Sequence, residues 1–305
     1  LNKYNVIHIN MIDFLTRAES IDDLIDYLQR RLLWDIRKEY SDVECFDWND
    51  LVDVLETIYS EKKQSFVIII DEWDCIFRKY PDNVEEQKKY LDFLRFFIKG
   101  KSYVALAYMT GILPIKKYGE HSALNMFDEF SMINPGPLAP YVGFTEVEVE
   151  YLCHKYRMDM EEVKAWYDGY SFSMAASVYS PRSVVNSMLF GKIENYWNQT
   201  ETFEALQVYI DMNFDGLKDD VLSMIAGERI PVNTGSFTND MTTFRTEDDV
   251  LTLLIHLGYL AYLNYSRSAF VPNEEIRQEL IRATRRKKWN ELLAFQQESE
   301  NLLDA

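Results

Sequence analysis

The sequence predicts an α/β fold: a parallel sheet flanked by helices, followed by a second, largely helical region. Three observations lead there. Phe66-Val67-Ile68-Ile69-Ile70 is an unbroken apolar run that stops at two carboxylates, Asp71 and Glu72. A short run without polar alternation reads as a strand buried on both faces. Other short apolar runs alternate with segments whose apolar residues recur at helical spacing, the rhythm of a parallel sheet with helices on its faces. The stretch from Pro135 to Gly143 holds three prolines and two glycines, so a domain boundary is expected there.

Taken in order, residues 5–11 give the first strand. Ile21, Leu24, Ile25, Leu28 and Leu32 form one helical stripe; Trp48, Leu51, Val52, Leu55 and Ile58 form a second, with Asp47 as its expected N-cap. After the central strand, Pro81 and Asn83 announce a third helix, with Glu86 as capping-box partner and Val84, Leu91, Leu94 and Ile98 as its apolar face. Residues 103–109 read as the next buried strand, ending in Thr110-Gly111, and residues 130–134 as a weaker one.

Beyond Gly143 the character changes. Thr145 with Glu148, and Thr246 with Asp249, cap helices; Ser180-Pro181 is an N-cap followed by Pro at the first helical position. Gly258 ends a helix, and residues 259–263 and 269–271 form a hairpin. Helices ending in a hairpin suggest a winged-helix-like or helical lid domain. The expected organisation is therefore a sheet domain over 1–143, a lid over 144–272, and a polar helical linker or stub over 273–305.

Composition bounds the function. At 305 residues with 47% apolar and 27% charged content, the chain suits a globular protein with a large core. It contains no 18-residue apolar run, so no membrane span is expected. Three widely spaced cysteines fit neither a disulfide framework nor a zinc site, which makes a reducing cytoplasm the expected compartment. A net charge of −18 argues against nucleic-acid backbone binding. The basic run Arg282, Arg285, Arg286, Lys287 and Lys288 reads as a solvated helix end. The four histidines are scattered without ligand spacing. Pro81-Asp82 with Glu86-Gln87-Lys88 imitates a nuclease motif, but within a single helix start.

The chemistry-bearing stretch is the end of the central strand. A buried strand closing on Asp71-Glu72 has the form of a Walker B element. There the first carboxylate holds Mg²⁺ through its water shell and the second polarises the water attacking a terminal phosphate. The same pattern also fits a plain strand end, with Asp71 or Asp74 capping the next turn and Glu72 solvated. Thr110, ending the neighbouring strand, is a candidate phosphate sensor or a simple turn cap. Arg182, just inside a helix start, is a candidate phosphate contact. No G-x-x-x-x-G-K-[ST] phosphate loop occurs. Gly100-Lys101-Ser102 leaves a helix and enters a strand, the reverse of the order a phosphate cradle needs.

Seven stretches together resemble the bacterial AAA-ATPase-like proteins. They are Val67 to Asp74, Met109 to Leu113, Gly143 to Glu146, Trp166 to Tyr170, Tyr179 to Ser183, Tyr196-Trp197, and Val271 to Glu275. The resemblance implies a P-loop NTPase-like sheet with a winged-helix-like second region, ATP and Mg²⁺ as cofactors, Asp71 on the metal, Glu72 on the water, and Thr110 as sensor. It also implies a phosphate loop ahead of the first strand and a PD-(D/E)XK-type nuclease domain after residue 275. The chain begins at Leu1 without an initiator Met, so it is expected to be a piece of a longer protein. The leading expectation is an ATP-driven conformational switch. The alternative is a catalytically inactive protein-interaction module that presents the aromatic surface around Tyr167–Tyr170 to a protein partner.

Overall fold

The computed structural model describes residues 4–112, 124–197, 214, 216–235, 237 and 244–285. They fall into two compact units that part between Glu129 and Phe130, ahead of the proline-rich stretch and not at Gly143. The prolines do not make a linker. They form a 3-10 helix (Gly136–Tyr141) that buries Ala139 completely and so packs as part of the second unit.

The first unit runs β1 (Asn5–Asn10), α1 (Met11–Leu15), α2 (Ile21–Glu39), α3 (Leu51–Lys62), β2 (Phe66–Asp71), α4 (Cys75–Lys79), α5 (Val84–Ile98) and β3 (Val104–Met109). Its three strands form a parallel sheet in the order β1-β2-β3. The apolar run ending in two carboxylates is thus the central strand, flanked by helices as an α/β fold requires.

Side chains start the helices. Ser20 Oγ accepts from Asp23 N at 3.2 Å, Asp50 Oδ1 from Val52 N at 2.8 Å, and Asn83 Oδ1 from Glu86 N at 3.2 Å. Each satisfies a first-turn donor that has no partner inside its helix. Asp50 takes the role expected of Asp47, which instead shapes the preceding loop by accepting from Asn49 N at 2.8 Å. Glu86 closes no capping box; its Oε2 accepts from Ile21 N at 2.9 Å and fastens α5 to the start of α2.

Burial of the sheet is one-sided among the described residues. Phe66, Ile68 and Ile70 are buried, while Val67 and Ile69 between them are half-buried. The core joins Ile7, Ile9, Ile68 and Ile70 to Leu24, Leu28, Leu55, Ile58, Tyr90, Leu94 and Phe97. On the opposite face Val6 is 59% exposed, Leu106 56% and Tyr108 45%. Burial on both faces, the expectation for β2 and β3, is therefore corrected to burial on one. Val84, expected on the apolar face of α5, is exposed, and Tyr90 and Phe97 fill that face instead.

The second unit opens with a turn where a weak strand is expected. Ser131 N donates to Asn134 O at 3.1 Å, and no ladder forms over 130–134. Then follow β4 (Phe144–Thr145), α6 (Glu146–Tyr156), α7 (Met160–Tyr167), β5 (Tyr170–Phe172), β6 (Ala175–Tyr179), α8 (Pro181–Phe190), α9 (Leu217–Ile225), β7 (Ile230–Pro231), α10 (Glu247–His256), β8 (Ala261–Leu263), β9 (Ser268–Phe270) and α11 (Glu274–Arg285). Both expected capping boxes are present. The expected hairpin is β8-β9, and β7 adds a third strand to it. The β5-β6 hairpin is not foreseen from the sequence. Tyr167 and Tyr179 are fully buried, and Tyr170 is nearly so. These aromatics are core, which removes the exposed partner surface that the interaction-module alternative relied on.

α11 is no linker either. Glu275, fully buried, accepts from Tyr196 N at 2.7 Å and Trp197 N at 3.1 Å on Oε1, and from Ser183 Oγ at 2.7 Å on Oε2. Gly169, at φ +115°, lies so close to Pro272 that any Cβ would collide with its carbonyl, and Asn273 Nδ2 donates to the Asp168 carbonyl at 2.7 Å. Arg282 donates to Glu279; Arg286, Lys287 and Lys288 of the basic run lie outside the described residues. Among the described residues no helix is long and apolar enough to cross a membrane.

Burial raises the Glu275 carboxyl above its ordinary value of 4.5, against the lowering pull of its hydrogen bonds from Ser183, Tyr196 and Trp197. A carboxyl with a higher pKa folded than unfolded contributes stability that is full below the unfolded pKa. That contribution is lost as pH rises through the folded one. Glu275→Gln should therefore flatten the fall in stability from pH 4.5 upward. Glu275→Ala, which strands two backbone donors, should cost about 2–4 kcal/mol at neutral pH. Urea unfolding of both variants across that range checks the pair.

Candidate functional site

Parallel register brings Asn10 beside Asp71 at the carboxyl end of the sheet. Thr110, just past β3, is stitched on next to it: Thr110 N donates to Ile70 O at 2.9 Å, and Trp73 N donates to Thr110 O at 3.0 Å. The Thr110 hydroxyl then donates to Asp71 Oδ1. Glu72 N donates to the same oxygen at 3.1 Å. Both donors converge on Oδ1, and among the described residues none reaches Oδ2. A half-exposed carboxylate at a strand tip is thus pinned by one oxygen and presents the other.

Glu72 has a left-handed backbone, φ +55°, a conformation that costs a non-glycine residue roughly 1–2 kcal/mol. It turns the chain out of the strand and sends the next residues inward. Trp73 is buried, its carbonyl accepts from the Tyr90 hydroxyl at 2.9 Å, and its ring meets Phe77 edge-on with centroids 5.3 Å apart. Asp74 is completely buried. It makes no side-chain cap on α4, the role open to it from sequence; Oδ2 instead accepts from Ile112 N at 3.2 Å. Glu72 Oε2 accepts from Arg78 Nη2, and the same nitrogen stands 3.7 Å from Asp74 Oδ1. Gly111 makes this approach feasible, since a Cβ there would sit 2.7 Å from both Asp74 Oδ1 and Trp73 Cδ1.

Asp71, Glu72 and Thr110 are therefore brought together within the first unit. Arg182 belongs to the second unit, exposed at the second residue of α8. Sequence reading missed Arg78, and the supporting roles of Asp74 and Gly111. The available signal was the four-residue spacing of Asp74 and Arg78 on a helix start, and a glycine directly after the strand-end Thr110. Cys75, next to the site, is no nucleophile at neutral pH, because burial pushes its thiol up to about 12. In the second unit, burial pushes His256 down to about 4. No group of three or more His, Cys, Asp or Glu is placed to hold a metal among the described residues. A carboxylate with one open oxygen still fits Mg²⁺, which takes one or two protein oxygens and fills its shell with water and phosphate.

Residues 1–119 match the family model described as "Predicted AAA-ATPase". Over those residues the chain is similar to the AAA-ATPase-like family. A curated relative from Azotobacter chroococcum mcd 1, an uncharacterized protein in the vnfD 5' region, is 28% identical over 144 residues. That match covers 45% of this chain and 27% of the relative, so the chain spans about a quarter of the relative's length. The AAA-ATPase-like match contains both β2 and Thr110.

Gly111→Ala should force Trp73 or Asp74 out of place and cost about 1–3 kcal/mol, the usual penalty for overpacking a close contact. Thr110→Ser, which keeps the hydroxyl, should cost less. Chemical denaturation of the two variants beside the parent makes the comparison.

Proposed function

We propose that the first unit binds ATP with Mg²⁺ and uses binding and hydrolysis to switch the conformation of the protein. The observation that carries this reading is the Asp71, Glu72 and Thr110 group at the carboxyl end of the central parallel strand, where α/β sheets bind ligands. Asp71 would hold the cation's water shell through Oδ2. Glu72 would orient and polarise the attacking water through Oε1, the oxygen outside its ion pair with Arg78. Thr110 would report on the terminal phosphate through its hydrogen bond to Asp71. Bound Mg²⁺ supplies neutralisation of charge on the phosphates, which is most of what phosphoryl transfer asks of a site.

No phosphate loop occurs in the 305 residues, so the proposal assigns the phosphate grip to residues other than these three. The β8-β9 hairpin following α10 keeps a winged-helix-like second region within the same reading. A reducing cytoplasm, where ATP and the free thiols of Cys45, Cys75 and Cys153 both persist, is the compartment it implies.

The test uses the full-length protein. Mg-ATP at 100 times its Kd should stabilise the fold by about 2.7 kcal/mol through mass action, read as a rise in melting temperature. Glu72→Gln should keep that rise and lose turnover by about 10²-fold or more. Asp71→Asn should lose the Mg²⁺ dependence of the rise. An unchanged melting temperature at millimolar nucleotide overturns the proposal.

A further inference from the structure

We infer that Arg78 is a positioning residue for Glu72, and that Asp74 is the anchor that makes it one. The inference rests on the proposed role of Glu72 in orienting water. Glu72 stands in a left-handed turn with its side chain about a third exposed (31%), so packing alone does not choose its rotamer. A water-orienting carboxylate has to be held, since a displacement of 1 Å in such a group costs about 10²-fold in rate.

The tether is visible. Arg78 Nη2 donates to Glu72 Oε2 and leaves Oε1 outside the pair. Arg78 is steadied in turn, with Asp74 Oδ1 at 3.7 Å from the same nitrogen. Asp74 is completely buried, and its second oxygen accepts from Ile112 N at 3.2 Å. The chain of contacts from Ile112 through Asp74 and Arg78 to Glu72 ties the carboxylate to the segment that follows β3. Thr110 and Gly111 lie in that same segment, so Glu72 and the candidate sensor share one support.

A rigid planar guanidinium suits a bridge between two carboxylates, and an ammonium on a flexible stem does not. A part-buried pair such as this adds a modest coupling to stability, and its main use is geometric.

In the full-length protein, Arg78→Ala is expected to lower kcat by about 10²-fold. KM for ATP and the affinity for a fluorescent ATP analogue should stay within twofold of the parent. Arg78→Lys should recover only part of the loss, and millimolar guanidinium should partly restore Arg78→Ala. Without nucleotide, Glu72→Gln and Arg78→Ala should shift the melting temperature non-additively, each shifting it less when the other is already present. If Arg78→Ala does not fold, Arg78→Gln carries the same comparison.

A parent protein that turns over no ATP overturns the reading of Glu72, and this inference with it. Turnover in the parent with an unchanged kcat in Arg78→Ala overturns this inference alone. So do an additive melting cycle, or a loss of nucleotide affinity equal to the loss of kcat.

Discussion

Thr110 is held to the central strand by two backbone hydrogen bonds, one to the carbonyl of Ile70 and one from the amide of Trp73. They extend the β2-β3 pairing past the last residue of either strand, into the turn where regular structure has already ended. The Thr110 hydroxyl reaches Asp71 only because of them. Slip that register by one residue and every side chain in the segment changes face. The carboxylate at position 71 would then lose its hydroxyl donor, and Ile112 N would leave Asp74, the anchor of Arg78. The chemistry-bearing side chains of the first unit hang from these two bonds.

Much of the first unit was legible because its signals are local. An apolar run ending in two carboxylates announces a central strand, and capping residues with Ser, Asp or Asn announce helix starts. What could not be read was which of two neighbouring acids would cap α3. Asp47 and Asp50 are chemically the same, and only the backbone path selects Asp50. Burial of β3 was overestimated for a related reason: an apolar strand sequence does not say whether one face or two are covered. Asp71, Glu72 and Thr110 were legible as strand-end residues. Arg78 was not, because an arginine one turn into a helix is usually solvated, and what distinguishes this one is a buried acid on the same helix.

In the second unit the short motifs proved easier to notice than to interpret. Trp166 to Tyr170, Tyr179 to Ser183, Tyr196-Trp197 and Val271 to Glu275 look like separate aromatic and polar islands along the chain. In the fold they meet. Glu275 gathers Ser183, Tyr196 and Trp197, while Gly169 and Asn273 close the contact between the first and last of these stretches. A buried carboxylate with so many donors is an expensive structural element, and removing one partner leaves the rest unsatisfied. Residue types usually taken as functional signals here serve packing and hydrogen-bond closure. Sequence alone cannot make that distinction, because the partners lie far apart along the chain.

The left-handed turn at Glu72 sets stability and chemistry against each other at one position. Glycine or asparagine would occupy that backbone with less strain, and neither would offer a carboxylate. A selection for thermal tolerance alone would therefore drift toward those residues at position 72 and discard the acid. Variants recovered that way would look like improvements in every assay that measures folding. For this protein, a more stable turn and a working one are different objectives.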